Sequence, residues 1–489
     1  MKKLVAMMLC MITVFTVSAC ANGEDTSGSD RGKEAQSREQ EKDDTDGGSD
    51  SSGGGSDEAD GDKQTGKTEY DVELDKHLKK GDFIQFGTYE QDNVIDNGPE
   101  RIEWQVIDIR AGKIFVMSRY ALDAQPLNKD DDEYTWAESS LRAWLNDDFY
   151  NEAFSDKEKE YIQLTEIVTK FEHDVDTEDK IFLLSNKEVS RYLRDLTIDD
   201  LSSKLCYPTE YSLAKGVNAP EYNEYRCNWY VRDAAKLGKS GFIDGKRGNE
   251  DWDTEATRDD RGIRPAMWLN YENVSLADAE IGDTVVFGNF KQDHTVTNSD
   301  GTYHYIEEPV LWVVLDIQDG KKMLMTKNGI FGGAYGDQYS DGTWEDSNLR
   351  SRLKSEFYDV AFSAEEKSHI LETTITNPDN DVYGTDGGND TTDYVFVLSL
   401  PEVDKYFGGA RDEKNPRRGC YSLDISPAPA TNGSGNYCSW YTRTPGKDEK
   451  SVVYVDYYNI EVAGTINVEG CEQDAHGICI SRPVIWVQP

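Results

Sequence analysis

The chain has 489 residues, enough for two or three domains that each bury a core of their own. Lys plus Arg number 52 against 94 Asp plus Glu, a net charge of −42, which repels nucleic-acid phosphates and anionic lipid headgroups and leaves cationic ligands, neutral glycans and Ca²⁺ open. The 27 Tyr and 10 Trp are more rings than a purely disordered acidic chain carries, so part of this one must fold.

At the N-terminus Lys2 and Lys3 precede an uncharged apolar stretch from Leu4 to Ala19, shorter than the about 20 residues of a bilayer span. It ends Val17-Ser18-Ala19-Cys20. This resembles a bacterial lipobox, and the resemblance implies that residues 1–19 are a cleaved signal peptide and that the Cys20 sulfur carries diacylglycerol. An ordinary secretory signal with an incidental cysteine is the alternative. Residues 20–69 are acidic, rich in Gly and Ser, and hold no aromatic ring. Such a segment cannot form a core and reads as a disordered tether with a root-mean-square reach of roughly 40 Å.

Beyond the tether the chain repeats itself. Gly81-Asp82-Phe83-Ile84-Gln85-Phe86-Gly87 returns as Gly282-Asp283-Thr284-Val285-Val286-Phe287-Gly288, and Trp104-Gln105-Val106-Ile107-Asp108 returns as Trp312-Val313-Val314-Leu315-Asp316. Both read as strands. Thr135-Trp136, Ser139 and Leu141-Arg142 match Thr343-Trp344, Ser347 and Leu349-Arg350. Leu141, Leu145 and Phe149, like Leu349, Leu353 and Phe357, stand at helical spacing. Ser155 with Glu158, and Ser363 with Glu366, fit capping boxes that begin a second helix. Ile181-Phe182-Leu183-Leu184-Ser185 and Val395-Phe396-Val397-Leu398-Ser399 read as short buried strands. Cys227-Asn228-Trp229-Tyr230-Val231-Arg232 answers to Cys438-Ser439-Trp440-Tyr441-Thr442-Arg443, and the copies close on Arg264-Pro265 and Arg482-Pro483.

This ordered set of motifs resembles domain of unknown function 6273, present twice. Where that family shows W-W-L-R, this chain has Trp229-Tyr230-Val231-Arg232 and Trp440-Tyr441-Thr442-Arg443. The closing segments also resemble, more loosely, the C-type lectin-like fold shared with formylglycine-generating enzymes. The expected fold class is α+β, with a first module at 70–270, a linker at 271–280 and a second module at 281–489. Each module would be a small twisted, mainly antiparallel sheet with two helices and a loop-rich half.

Outside the signal and the anchor, six cysteines remain. Cys206 and Cys227 match Cys420 and Cys438 in place, at intervals of 21 and 18 residues. On an oxidising cell surface this repeat favours bridges Cys206 to Cys227 and Cys420 to Cys438, with Cys471 to Cys479 as a third. The last pair also sits near Arg482-Pro483, where the formylglycine-generating resemblance would place a catalytic cysteine pair, although the first module has no counterpart.

None of the six histidines falls at matching places in the two copies, which excludes a histidine mechanism common to both. Asp108 and Glu188 could serve as paired carboxylates for glycoside hydrolysis only at a suitable separation; internal ion pairing is the plainer use of the repeated acids and arginines. Asp379, Asp381 and Asp390 partly imitate a Ca²⁺ loop, but Tyr383 stands at a ligand position. Tyr207, Tyr211, Tyr222, Tyr225, Tyr230 and Tyr441 are the candidate ligand contacts, because flat rings on a stapled loop suit a glycan or peptide. The expected function is a lipid-anchored extracellular binding protein for a glycan or protein, with no catalysis and no cofactor beyond a Ca²⁺ option. An enzyme of the formylglycine-generating or carbohydrate-processing type, and a passive envelope structural protein, are the alternatives.

Overall fold

The computed structural model describes residues 73–489 apart from 130–134, 169–174, 195, 237–238, 254–255, 298–302, 337–341, 408, 413–414, 422–438, 457–464 and 474–478. In the first module, strands Phe83–Tyr89, Glu100–Arg110, Lys113–Ser118 and Ala266–Asn270 form one antiparallel sheet in that order. The second module repeats it with Thr284–Thr297, Tyr303–Gln318, Lys321–Thr326 and Val484–Val487. The last strand of each copy thus returns to the edge of the first sheet. Its entry is set by the Arg-Pro step: the carbonyls of Pro265 and Pro483 accept the N–H groups of Ser118 and Thr326, each at 2.9 Å.

The motif around Gly87 and Gly288 has a local cause. Both glycines lie at a register shift between the first two strands, at φ of +71° and +76°. The shift releases an amide, and Gly87 donates to Glu158 at 2.8 Å while Gly288 donates to Glu366 at 2.9 Å. A Cβ at Gly87 would meet the Phe154 ring at 2.6 Å, and one at Gly288 the Ala361 carbonyl at 2.8 Å. Only glycine allows both the positive φ and the close approach. Beside each bulge a buried tryptophan donates its indole N–H to a strand carbonyl, Trp104 to Phe86 and Trp312 to Phe287, both at 2.6 Å.

The acceptors Glu158 and Glu366 belong to helices that open with full capping boxes under Ser155 and Ser363. Those helices are short, Asp156–Lys159 and Ala364–His369. The preceding amphipathic helix runs from Ser140 to Ala153 and buries Leu141, Leu145 and Phe149, with a wider π turn at Leu145–Phe149. The second copy widens at Leu353–Tyr358. Two further capping boxes are present: the Glu188 side chain accepts from the Ser185 amide, and that of Glu402 from the Ser399 amide, both at 2.8 Å, heading helices Asn186–Tyr192 and Leu400–Phe407.

The segments 181–185 and 395–399 are buried and extended, but they are not strands of a ladder. Each makes one isolated bridge, Phe182 to Ala266 and Phe396 to Val484. The next carbonyls that could extend the ladder, Leu184 and Leu398, accept instead from the Arg232 and Arg443 amides at 3.0 and 2.9 Å, and the guanidiniums of the same arginines donate to Leu183 and Val397, each at 2.7 Å.

A second sheet completes each copy. In the first module its order is Glu250–Asp253, Lys239–Ile243, Trp229–Lys236, Gly262–Ile263 and Asp123–Ala124. In both copies the W-Y-x-R strand runs parallel to the strand that leads into Arg-Pro, pairing Trp229 with Gly262 and Trp440 with Ile480. Both modules are therefore α+β. One core spans Leu78 to Tyr271 and a separate one spans Val274 to Val487.

The linker between them is packed. Tyr271, Val274 and Ala279 are buried, and Lys322 donates to the carbonyls of Ala277 and Ala279 at 2.7 and 2.6 Å. Across the two modules, Lys327 bonds Asp108 at 2.8 Å and His77 pairs with Asp283 at 2.7 Å. The hydrogen bond from Asp283 raises the His77 pKa above its ordinary value. Among the described residues no helix is long and apolar enough to cross a membrane.

Candidate functional site

The chain between Cys206 and Cys227 forms a loop that leads into the Trp229–Lys236 strand of the second sheet. Its base is closed by the Cys227 amide on the Cys206 carbonyl at 2.9 Å. Inside it, Thr209 caps the short helix Glu210–Ala214, and a 3₁₀ turn, Glu221–Asn223, follows Pro220. The next two residues, Glu224 and Tyr225, hold φ of 56° and 62°, a conformation that costs of the order of 1 kcal/mol or more for each non-glycine residue. The surroundings enforce it: the Tyr225 amide bonds the Pro220 carbonyl at 3.2 Å, and Arg226 bonds the Asn223 carbonyl while pairing with Glu224 at 3.1 Å.

Two tyrosines stand out from this braced turn, Tyr222 at 70% exposure and Tyr225 at 61%. Tyr222 borders a cavity of about 160 Å³ between the turn and residues 258–261. On one wall are Asn218, Pro220 and Asn223; on the other are Asn228, Arg258, Asp260 and Arg261. Arg258 closes its fork on Asp260 at 3.0 and 2.5 Å, and this hydrogen bonding holds the Asp260 carboxyl below the usual range. The Arg261 guanidinium lies 3.7 Å over the Phe242 ring and 5.1 Å over that of Tyr230. The Asn218 amide bonds the Asp260 carbonyl at 2.9 Å and the Asn228 Oδ1 accepts from Gly245 at 2.8 Å, so the walls are tied to each other and to the sheet. The lining is chiefly polar, made of three carboxamides, the Arg258–Asp260 pair and Arg261, with Tyr222 beside them. Residues 422–438, the corresponding loop of the second module, lie outside the described residues.

The other candidate tyrosines separate. Tyr207 is 39% exposed, and Tyr211 packs edge-on against Tyr89 at 5.8 Å. Tyr230 and Tyr441 are fully buried and are not ligand contacts. They sit on an interior strand of the second sheet, and the Tyr230 hydroxyl donates to the Arg258 carbonyl at 2.9 Å. That bond steadies a cavity wall from behind.

Cys206 and Cys227 are buried neighbours held as thiols and not bridged, and partly buried Cys471 and buried Cys479 are thiols likewise. The neighbouring Cys206 side chain, then burial, pushes Cys227 up, while the neighbouring Cys479 side chain lowers Cys471. Gly262 lets its strand pass so close that a Cβ there would sit 3.0 Å from the Cys227 sulfur. The Cys420 side chain and Cys438, like Cys20, lie outside the described residues.

Asp379, Asp381 and Asp390 do not converge as a Ca²⁺ site. Between the first two, Asn380 is buried and donates to the carbonyls of Pro445, Gly446 and Val468, and Asp379 accepts from the Gly387 amide at 3.0 Å. The turn is thus organised around an asparagine pin. Among the described residues the group of acids close enough to share an ion is instead Glu90, Asp92 and Glu100, whose carboxylates already accept from the amides of Gln91, Asp92 and Val94.

The repeated charges are internal partners. Arg142 and Arg350 reach Asp179 and Asp393 at 2.6 and 2.7 Å, and the same carboxylates accept from the indoles of Trp136 and Trp344. Arg232 meets Glu188, and Arg443 meets Glu402. Arg264 and Arg482 donate to the Ser118 and Thr326 carbonyls. Asp108 and Glu188, the pair considered for glycoside hydrolysis, are each bound to a cation of their own.

Together these features define a tandem-repeat α+β protein whose first repeat carries a small, rigid, polar cavity beside exposed aromatic rings. The chain belongs to the family described as domain of unknown function 6273, whose model matches residues 111–271 and 319–489. The first two strands of each module precede the matched regions and repeat nonetheless. No curated protein and no solved structure matches the chain.

Proposed function

We propose that this chain is a lipid-anchored extracellular binding protein, held on the outer face of the cell membrane through Cys20, whose first module contacts a glycan or protein ligand. The observation that carries the reading is the braced turn that presents Tyr222 and Tyr225 to solvent, Tyr222 at the border of the 218–261 cavity. A loop that holds two strained residues and two exposed rings expends stability that core packing does not require, and such positions gather at ligand sites. A C-type lectin-like arrangement is part of the same proposal, supported by the loop-rich half that bears the cavity.

Glycan and extracellular-protein arrays probed with the full chain test it. Binding is expected, with a loss of at least about tenfold in affinity for Tyr222→Ala, the scale of one buried ring contact. Inertness on both arrays, or binding indifferent to Tyr222→Ala and Tyr225→Ala together, would favour a passive envelope role.

The anchor and the bridges are proposed with it. Support for Cys206–Cys227 and Cys471–Cys479 comes from the members of each pair being near neighbours, and for Cys420–Cys438 from the repeat. Each bridge would add roughly 3 kcal/mol by the chain-entropy estimate. Mass spectrometry of unreduced chain isolated from membranes is expected to show an N-terminal peptide starting at a diacylated Cys20, together with these three cross-linked peptide pairs. An unmodified Cys20, or free thiols throughout, would sink the respective part.

A further inference from the structure

We infer that the 218–261 cavity takes a single ring of a neutral carbohydrate. The inference rests on the reading of the first module as a binding module and names the ligand class of that same site.

The leading observation is Asn223. It is only 6% exposed and it borders the cavity. A ligand that enters the cavity can meet the Asn223 carboxamide in place of water. A carboxamide needs both a donor and an acceptor opposite it. Across the cavity, Asn228 has its oxygen taken by the Gly245 amide, which leaves its NH₂ to donate. Asn218 adds a third, exposed carboxamide at the rim.

A ligand group matched to such a mixed set both donates and accepts, as a hydroxyl does. Carboxylates and phosphates only accept, and ammonium groups only donate. Charge argues in the same direction. The Arg258 fork is closed on Asp260, so an anion entering here would face a carboxylate without a free guanidinium fork to receive it, and Arg261 is turned onto the rings of Phe242 and Tyr230.

Size narrows the class further. About 160 Å³ is close to the cavity that holds one benzene ring, roughly 150 Å³, and well below the ~300 Å³ at which drug-sized pockets begin. One pyranose fits; a folded peptide segment does not. The exposed face of Tyr222 at the mouth then offers an apolar surface to the C–H face of that sugar or the next one. Because Glu224 and Tyr225 are already braced, little ordering remains to be done when the ring binds.

The test is titration calorimetry and saturation-transfer NMR on the full chain in detergent micelles. The probes are the methyl glycosides of glucose, galactose, mannose and N-acetylglucosamine, set against methyl glucuronoside and glucose 6-phosphate. At least one neutral glycoside is expected to bind in the millimolar range. Tyr222→Ala should weaken it by about tenfold or more, and Asn223→Leu, which removes both amide functions, by at least as much. Should Asn223→Leu fail to fold, Tyr222→Ala at an exposed position still decides. Tighter binding of the anionic probes overturns the inference, and so does neutral binding that neither variant weakens. If no glycoside binds while an arrayed protein does so in a manner dependent on Tyr222, the sugar inference falls and the binding role stands; if nothing binds in either assay, both fall.

Discussion

Arg232→Met is expected to destabilise the first module by about 3–5 kcal/mol, the usual consequence of removing one partner from a buried ion pair. Arg232 is buried, donates to the Leu183 carbonyl at 2.7 Å and meets the Glu188 carboxylate. The same carboxylate also caps its helix through the Ser185 amide. Methionine fills the space but leaves a carbonyl and a carboxylate without their cation.

The effect should depend on pH. Burial pushes the Glu188 carboxyl up, yet the Arg232 guanidinium pulls it further down, to below its usual value. A depressed carboxyl stabilises the fold above its unfolded pKa of about 4.3 and loses that contribution as pH falls through the folded value. Denaturant unfolding at neutral pH and below pH 4 should therefore show the gap between wild type and Arg232→Met narrowing in acid. A gap that does not change with pH, or one under about 1 kcal/mol, would remove the ion pair as the cause. Arg443→Met should behave alike in the second module, where Arg443 meets Glu402 and Val397 in the same way.

Lys327→Met is expected to uncouple the two modules at a cost of about 2–3 kcal/mol. This is less than the full effect of breaking a buried pair, because Arg110 still faces Asp108 at 3.0 Å. Lys327 crosses from the second module to the Asp108 carboxylate and the Ile109 carbonyl of the first. Burial pushes that carboxyl up, but Lys327 and then Arg110 hold it well below the usual range. The modules have separate cores, so their joint unfolding relies on contacts of this kind and on the packed linker. Calorimetry should show one transition in wild type and two in Lys327→Met. The equivalent residue of the first module, Arg119, pairs within its own module with Glu103 and Asp199. Arg119→Met should lower the first module's stability without splitting the transition. A single unshifted transition in Lys327→Met would show that the cation does not couple the modules.

Arg119 and Lys327 also show where sequence reading stops. They stand at matching places after Ser118 and Thr326, yet one turns inward to its own module and the other reaches its neighbour. Asp179 and Asp393 are a similar case: each lies in an acid-rich stretch, and the fold selects one acid from each to hold an arginine and an indole. Tyr230 and Tyr222 are both tyrosines near one cysteine, and burial alone makes the first a wall and the second a rim. Asn223 carried no signal in the sequence, because facing a cavity is a property of its surroundings.

What the amino-acid order determined by itself was whatever depends on neighbours along the chain. That includes the doubling of the module, the glycine at each bulge, the capping boxes under Ser155 and Ser363, and the apolar faces of the helices. These follow from φ preferences, short-range hydrogen bonds and periodicity, which act over a few residues. Tertiary structure alone decided which acids face which arginines, that the linker packs and ties the modules, and that a turn near residue 223 meets a loop near residue 260 to leave a ring-sized space. Those outcomes depend on groups tens or hundreds of residues apart, and their energies arise only once water has been excluded between them.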